Sequence, residues 1–238
     1  MKHITDTHMN IIPDVDDGSR NLEESITMLR MSANQGVGTV VATPHSWYID
    51  SCGYDHMLSQ YEDLKEAVIE RKVPVQLYLG CEVLFTLHTV DACIRKLDDG
   101  RYPTMAGSRY VLTEFYELEE EKSMELCIQK IISAGYVPII AHAERYRNIT
   151  MEGIKVLKDF DALIQINAYS IADEKNSQTR QLANSCLSER IVDFIGSDAH
   201  RLNHRPPVIK SGIDAMIQRY TEEYAKQVAV INPQLFLK

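Results

Sequence analysis

Histidines and carboxylates recur in this sequence within or directly after short apolar stretches. The first set is Asp6, His8 and Asn10, which alternate along the stretch that opens the chain. We expect His8 at the rim, where this first strand ends. Because successive side chains of a strand point to opposite faces, these three groups would share one face. A carboxylate, an imidazole and an amide oxygen on the same face are groups that bind a divalent metal ion.

Later apolar stretches end in the same kinds of residue. The residues at their ends are His45, Glu82, Glu114, His142, Asp198 and His200. A single histidine at such a place is usually an ordinary hydrogen-bonded loop residue, but histidines or carboxylates at six strand ends predict one shared site. Imidazole mixed with carboxylate favours Mn, Fe or Zn over Ca or Mg, because borderline cations accept nitrogen as well as oxygen ligands.

An acidic segment follows the first predicted strand. It contains Asp14, Asp16 and Asp17, and it ends at Gly18. A cluster of this kind is most often a polar turn that leads into a helix. Its position directly after the first strand also allows one of the aspartates to be a further metal ligand, and both interpretations stay open at this point.

Two arginines follow predicted strand ends. Arg145 comes shortly after His142, and Arg205 comes shortly after His200. Arginines at such places are usually surface residues, but both of these are close enough to the strand ends to reach the shared site. A guanidinium group there would bind a phosphate through paired hydrogen bonds.

The chain has a single tryptophan, Trp47, which is followed by Tyr48 soon after the second predicted strand. These two rings could form a lid or a stacking surface for an aromatic substrate. An aromatic pair that anchors the loop is at least as common an arrangement. The sequence does not discriminate between these two interpretations.

Strands and helices alternate along the chain seven times. After the first strand, the predicted strands cover residues 38–43, 75–80, 110–113, 137–141, 162–167 and 191–196. The predicted helices begin at Asn21 and cover residues 54–71, 89–97, 123–134, 151–158, 177–187 and 212–225, with an irregular stretch at residues 46–53. Seven such units predict a parallel α/β barrel, in which the carboxyl ends of the strands converge on one mouth.

Composition excludes several classes of partner. The 238 residues carry a net charge of −9, which argues against nucleic acid or an anionic membrane as a partner held by bulk charge. No apolar stretch predicts a signal peptide or direct membrane insertion, and the five scattered cysteines are typical of reduced thiols, so we expect a cytoplasmic protein. Without a low-complexity linker, residues 1–238 are predicted to form one domain.

The motifs of several hydrolase mechanisms are missing. None of the five cysteines is followed six residues later by arginine, so the phosphate-binding loop of thiol phosphatases is absent. The sequence also lacks G-x-S-x-G, H-E-x-x-H and G-x-x-x-x-G-K-[ST]. Because the motifs of these other mechanisms are missing, a metal-activated water is the nucleophile that the sequence still allows.

Together, several short motifs resemble the polymerase and histidinol phosphatase (PHP) superfamily. They are Asp6-x-His8-x-Asn10, Val15-Asp16-Asp17-Gly18, Thr43-Pro44-His45, Gly80-x-Glu82, Glu114-Phe115, Ala141-His142-x-Glu144-Arg145-Tyr146, Ser197-Asp198-x-His200 and Arg205-Pro206-Pro207. Each is weak alone, but their order and spacing are specific and span nearly the whole chain. The closest branch is that of bacterial manganese-dependent protein tyrosine phosphatases from capsular and exopolysaccharide gene clusters.

This resemblance implies a distorted (β/α)7 TIM-like barrel of the PHP type with three metal ions, Mn²⁺ first and Fe or Zn as alternatives. The implied ligands are His8, Asn10, Glu82 and Asp198 for one ion, Glu82, Glu114 and His142 for the second, and Asp17, His45 and His200 for the third. Arg145 and Arg205 match the phosphate-binding arginines of the family. The implied reaction is attack by metal-activated hydroxide without a covalent phosphoenzyme.

The implied substrate is the phosphotyrosine tail of a membrane-associated tyrosine autokinase that regulates capsular or exopolysaccharide synthesis. One alternative is a histidinol-phosphate phosphatase or another small-molecule phosphoesterase. A second alternative arises at Asn10, where the family pattern has histidine. A neutral amide oxygen is a weaker ligand than imidazole, so the chain could instead be a weakly active or inactive binding partner of the kinase.

Overall fold

A computed structural model of the chain describes residues 1–172 and 177–237. Its strands are β1 Ile4–Met9, β2 Val37–Ala42, β3 Gln76–Leu79, β4 Glu82–Leu84, β5 Tyr110–Glu114, β6 Val137–Ile140, β7 Leu163–Asn167 and β8 Phe194–Gly196. Its helices are α1 Leu22–Asn34, α2 Ser46–Cys52, α3 Tyr54–Glu70, α4 Val90–Asp98, α5 Glu121–Ser133, α6 Met151–Asp159, α7 Ala168–Ala172, α8 Gln178–Ser188, α9 Lys210–Arg219 and α10 Glu222–Lys226.

All pairs of neighbouring strands are parallel, so the predicted parallel α/β architecture is confirmed. The strands form two sheets, β1-β2-β3 and β4-β5-β6-β7-β8. In the described part of the chain the sheets have eight strands in place of the predicted seven, because the third predicted strand is divided at Gly80 and Cys81. Gly80 packs closely here: a Cβ atom would lie 3.0 Å from Sδ of Met105 and 3.2 Å from Cγ1 of Val41.

The two sheets meet at both of their edges. Beside the division of the third strand, the N–H of Glu82 in β4 donates to the carbonyl of Pro44, which follows β2, at 3.0 Å. At the other junction, the N–H of Asp198 donates to the carbonyl of His8, and the N–H of Asn10 donates to the carbonyl of Ala199, both at 2.9 Å. The first and last strands therefore lie side by side, and the carboxyl ends of all strands face the same side.

An apolar cluster lies among the strands, away from their polar carboxyl ends. Four strands contribute to it with Val41, Leu112, Ile139 and Phe194, and the C-terminal Phe236 packs against them. The ring of Phe236 lies 5.5 Å from that of Phe194, centroid to centroid. The C-terminal segment is therefore docked against the strands, where it covers the apolar interior.

Three local predictions were wrong. The segment predicted as irregular contains helix α2, and the last predicted helix is two helices, because the backbone leaves the helical region at Tyr220 and Thr221 caps α10. His8, expected at the rim of the first strand, lies within β1 and is completely buried. Within the described parts of the chain, no helix is long and apolar enough to span a bilayer.

Candidate metal site

All nine predicted metal ligands lie at the carboxyl-terminal side of the strands. They are His8 in β1, Asn10 and Asp17 after it, His45 after β2, Glu82 in β4, Glu114 in β5, His142 after β6, and Asp198 and His200 after β8. Besides that of His8, one placement differs from the prediction: Glu82 begins β4 instead of ending the strand before it. Asp17 is exposed and Glu114 is partly buried, whereas the other seven side chains are largely or fully buried.

Glu82 is the centre of the cluster. Its Oε1 atom lies 2.8 Å from Nε2 of His142, and its Oε2 atom lies 3.1 Å from Nε2 of His8 and 3.0 Å from Nδ1 of His45. The carboxylate is completely buried. Three imidazoles from three different strand ends therefore converge on one carboxylate.

The charged groups of this cluster shift one another's pKa values. Burial alone would raise the pKa of Glu82, but the charges of His8 and His45 outweigh burial and hold that pKa well below its ordinary range. Burial alone would lower the pKa of His8, but Glu82 and Asp198 raise it to about 9. The carboxylates thus hold protons on ring nitrogens, and a cation that binds those nitrogens must displace the protons.

Two further groups of ligand atoms lie around His45. Its Nδ1 atom is 3.5 Å from Oε2 of Glu114, while its Nε2 atom is 3.5 Å from Oδ1 of Asp17. The same Asp17 oxygen is 3.6 Å from Nε2 of His200. Asp17, His45 and His200 form one of the three predicted sets. Glu114, predicted to share an ion with His142, lies nearer to His45 than to His142. His142 instead forms a group with His8 and Glu82.

The buried polar atoms of the cluster fit divalent cations. Among the described residues, the buried atoms without a hydrogen-bond partner include His8 Nε2, Asn10 Oδ1, His45 Nδ1, Glu82 Oε2, His142 Nδ1 and His200 Nε2. A buried polar atom that makes no hydrogen bond costs about 1–3 kcal/mol. Cations would satisfy several of these nitrogen and oxygen atoms at once, and the mixed ligand set matches Mn, Fe or Zn.

Asn10 is held with its amide oxygen free for a cation. Its Nδ2 atom donates to Oδ2 of Asp16 at 2.9 Å, and a carboxylate only accepts, which defines the orientation of the amide. Asp16 also accepts from the N–H of Gly18 at 2.8 Å and from that of His45 at 3.2 Å. The acidic segment therefore combines both interpretations: Asp16 forms the polar turn, and Asp17 reaches the cluster.

Sequence reasoning missed two residues of β7 beneath the cluster. Gln165 accepts the N–H of His142 at 2.9 Å through Oε1, which also lies 3.4 Å from Nδ1 of His8. Its Nε2 atom donates to Oδ1 of Asn167, whose Nδ2 atom donates to Asp198, both at 3.0 Å. The signal was present, because Gln165 and Asn167 are polar residues at alternate positions of an otherwise apolar strand.

Hydrogen bonds define which ring nitrogen of His8 and of His200 faces the cluster. Since Oε1 of Gln165 accepts, Nδ1 of His8 carries the proton and Nε2 faces Glu82. Nδ1 of His200 lies 2.9 Å from the carbonyl oxygen of Asp198, so its Nε2 atom faces Asp17. Hydrogen bonds of this kind orient histidine ligands at metal sites.

The two predicted phosphate-binding arginines reach the same mouth. Nη1 of Arg145 lies 2.8 Å and Nη1 of Arg205 lies 2.9 Å from Oδ2 of Asp198. Buried Glu144 holds the turn that carries Arg145, since its Oε1 atom accepts from the N–H of Asn167 at 3.0 Å and from Oγ of Ser170 at 2.7 Å. Two guanidinium groups beside the cluster can bind an anion that approaches the mouth.

Left-handed backbone accompanies this arrangement. His142, Asp198 and Arg205 have φ values of 34°, 52° and 53°. Non-glycine residues rarely adopt positive φ, and such strain concentrates at binding and catalytic sites. Three of the predicted site residues thus have a conformation that the surrounding structure must hold in place.

Comparison with known proteins shows to which family this chain belongs. The family described as capsular polysaccharide synthesis, CpsB/CapC, matches residues 4–238. The chain belongs to the CpsB/CapC family. This finding confirms the resemblance that we found in the sequence motifs, because the match extends over all of the strand ends described above.

Individual relatives of the CpsB/CapC family match along most of their length. The tyrosine-protein phosphatase CpsB of Streptococcus pneumoniae is 30% identical over 237 residues, which is 96% of each chain. The putative tyrosine-protein phosphatase CapC of Staphylococcus aureus is 30% identical over 224 residues, covering 92% of this chain and 86% of its own.

The fold of the CpsB/CapC chain also matches solved structures. One comes from the crystal structures of YwqE from Bacillus subtilis and CpsB from Streptococcus pneumoniae, described as unique metal-dependent tyrosine phosphatases. It superposes with a TM-score of 0.87 at 24% identity and covers 98% of this chain and 94% of its own. An organophosphorus hydrolase from Deinococcus radiodurans has a TM-score of 0.63 at 13% identity, covering 99% and 93%. The predicted TIM-like fold is confirmed by these matches.

Proposed function

We propose that this chain is a metal-dependent protein-tyrosine phosphatase. The observation that carries the proposal is the arrangement of opposite charges at one mouth: three imidazoles converge on buried Glu82, and Arg145 and Arg205 converge on Asp198 next to it. Metal ligands beside a pair of guanidinium groups suit the hydrolysis of a phosphate ester. Membership of the CpsB/CapC family and relatives named tyrosine-protein phosphatases support the same activity.

The nine predicted ligands would hold Mn²⁺, with Fe or Zn as alternatives. The three groups of ligand atoms support up to three ions, with Glu82 shared between two groups and Asp17, His45 and His200 forming another. Asn10 would add its amide oxygen, and Asp198 its Oδ1 atom. When bound, such ions supply a water activated for attack and neutralise charge on the phosphate.

The residues of the chain itself would bind and orient the phosphate. Arg145 and Arg205 would exchange their contact with Asp198 for the oxygens of the phosphoryl group, where paired N–H donors hold it. The hydrogen bond from Asn167 would stay on Asp198 and satisfy that carboxylate. The phosphoryl group would thereby be held between the arginines and the ligand cluster.

The cysteines do not suit a covalent mechanism. Burial raises the pKa of Cys81, Cys93, Cys127 and Cys186, and for the last two the pKa reaches about 12. A nucleophilic thiol needs a lowered pKa, because the thiolate is the reactive form. Hydrolysis without a phosphocysteine intermediate is therefore part of the proposal.

We further propose that residues 1–238 act as one domain in the cytoplasm on the phosphotyrosine tail of a membrane-associated tyrosine kinase. The family's description as capsular polysaccharide synthesis supports a substrate in that process. An acidic protein of net charge −9 can meet such a tail near an anionic membrane without binding the membrane itself.

The experiment compares substrates and variants with manganese-loaded protein. We expect a higher kcat/KM for a phosphotyrosine peptide than for histidinol phosphate. Arg145→Ala and Arg205→Ala should each lower turnover by roughly 100-fold, as loss of one donor to a developing anion does, while the metal content stays unchanged. Arg101→Ala is the matched control, because among the described charged groups that exposed side chain contacts only neighbouring Asp99.

Three outcomes would contradict this proposal or one of its parts. Faster hydrolysis of histidinol phosphate would indicate a small-molecule phosphoesterase. Little activity at saturating Mn²⁺, with a large gain in Asn10→His, would indicate the weakly active binding partner of the kinase. Loss of bound metal in an arginine variant would show that the arginine supports the ligand cluster and does not bind the substrate.

A further inference from the structure

We infer that an aromatic cavity beside the ligand cluster, formed around Trp47 and Tyr116, binds the ring of the substrate and makes the site selective for aryl phosphates. This inference rests on the proposed phosphatase function and names residues that would determine its specificity. It also assigns the role of Trp47, for which the sequence left two interpretations.

The cavity has a volume of about 260 Å³ and a mixed lining. Glu114, His142 and Arg145 contribute polar groups to it, and Trp47 and Tyr116 contribute aromatic rings. The first three belong to the proposed metal ligands and phosphate-binding arginines. A phosphate ester bound to those three residues would therefore have its organic group in the cavity that the two aromatic side chains line.

The size of the cavity suits one ring. Pockets for drug-sized ligands have volumes of about 300–1,000 Å³, and this cavity is slightly smaller than that range. Its floor is held in place, because the N–H of Phe115 donates to Oη of Tyr146 at 3.1 Å and the two rings pack edge to face. Leu84 adds an apolar wall. A flat apolar group is the ligand that matches this lining.

The ring of Trp47 is suitably placed for stacking with the ring of a substrate. Its ring lies against that of His45, with centroids 5.4 Å apart and planes 26° from parallel. Trp47 nevertheless stays 46% exposed and Tyr116 stays 58% exposed. Stacking on a second ring would remove the apolar faces of both side chains from water.

A second cavity on the other side of Arg145 supplies the control. It is lined by Tyr169, which is also exposed, but by none of the nine proposed ligands. A ring in that cavity would therefore lie beside Arg145 but beside none of the proposed metal ligands. Tyr169→Ala is therefore the matched variant for Trp47→Ala and Tyr116→Ala.

The test measures inhibition of metal-loaded protein by phenylphosphonate and by methylphosphonate, which share the phosphonate group and differ in the ring. We expect phenylphosphonate to bind more tightly. The ratio of the two inhibition constants should fall roughly tenfold in Trp47→Ala and in Tyr116→Ala, the size expected for one aromatic contact. It should be retained in Trp47→Phe and in Tyr169→Ala.

Fluorescence gives a reading that does not depend on catalysis. Trp47 is the single tryptophan of the chain, so its emission reports on this cavity alone. With Zn²⁺ bound, which has no redox chemistry, phenylphosphonate should change the emission saturably, whereas methylphosphonate at saturation should change it far less.

The outcomes separate this inference from the proposed function. If the metal-loaded protein hydrolyses phosphate esters but the inhibition ratio is unchanged in Trp47→Ala and in Tyr116→Ala, the aromatic cavity is wrong and the phosphatase stands. An equal fall in Tyr169→Ala would also overturn it. If the metal-loaded protein hydrolyses no phosphate ester, both are overturned.

Discussion

At the scale of single residues, the orientation of His8 depends on one uncharged side chain, Gln165. Its Oε1 atom accepts the N–H of His142 at 2.9 Å and lies 3.4 Å from Nδ1 of His8. Both histidines contact Glu82, so one buried amide holds the ring of His8 and the backbone of His142 beside that carboxylate. Such supporting residues matter for metal affinity almost as much as the ligands do.

Replacement of this amide should weaken metal binding. In Gln165→Leu, the buried N–H of His142 loses its acceptor, and the ring of His8 is no longer oriented. We expect metal affinity to fall by about 10- to 100-fold, the usual effect of losing such a partner, measured by titration of metal-free protein. Gln218→Leu, at an exposed position of α9, should leave the affinity unchanged. Equal affinity in both variants would show that Gln165 has no part in positioning the ligands.

Metal binding should also depend on pH in a definite direction. The pKa of His8 is raised to about 9 by Glu82 and Asp198 against the effect of burial, so below that pH the ring holds a proton that an incoming cation must displace. Apparent affinity should therefore increase as pH rises toward about 9, by up to roughly tenfold per pH unit for each proton released. Calorimetry in buffers of different ionisation enthalpy measures these protons. An affinity independent of pH would contradict the protonated cluster.

At the scale of elements, the cluster depends on the close approach of β1 and β8. A Cβ atom on Gly196 of β8 would lie 2.7 Å from Cβ of His8 and 3.0 Å from Nε2 of Gln165. Only glycine lets the last strand pass this near the first. β1, which carries His8, can therefore lie this close to β8 because Gly196 of β8 has no side chain.

A methyl group at this position should disturb both stability and the site. We expect Gly196→Ala to lower the free energy of unfolding by about 1–3 kcal/mol, as overpacking of a core does, and to reduce the metal content. Urea unfolding of metal-free protein gives the first quantity. Gly38→Ala in β2 is the control, because a Cβ atom there would lie 3.5 Å from its nearest neighbour, an ordinary contact. A similar loss in the two variants would argue against a specific contact with His8.

Sequence patterns predicted the elements well where the signals were local. Asn21 caps α1 through a hydrogen bond to the N–H of Glu24 at 3.0 Å, and Gly36 follows the helix with a φ of 92°, both as expected. The division at Gly80 was not predictable, since it depends on packing against Met105, which is distant in sequence. The role of Gln165 was not predictable either, since it depends on residues of two other strands.

At the scale of the whole molecule, the order of the strand ends along the chain is enough to predict that the candidate ligands meet at one mouth. Sequence could not assign them to groups, because His45 presents both ring nitrogens and thereby joins Glu114 on one side to Asp17 on the other. Nor could it show that Arg145 and Arg205 share one oxygen of Asp198. Those details depend on distances between side chains that are far apart in the chain.

The central claim is that hydrolysis of phosphotyrosine depends on metal ions bound around Glu82. The direct measurement is metal content per chain together with phosphotyrosine hydrolysis, before and after chelation and again after Mn²⁺ is restored, in the wild type and in Glu82→Gln. We predict that the metal-free protein is inactive, that activity returns with the bound ions, and that Glu82→Gln binds fewer ions and stays inactive. Full activity in metal-free protein, or full metal content and activity in Glu82→Gln, would contradict this account.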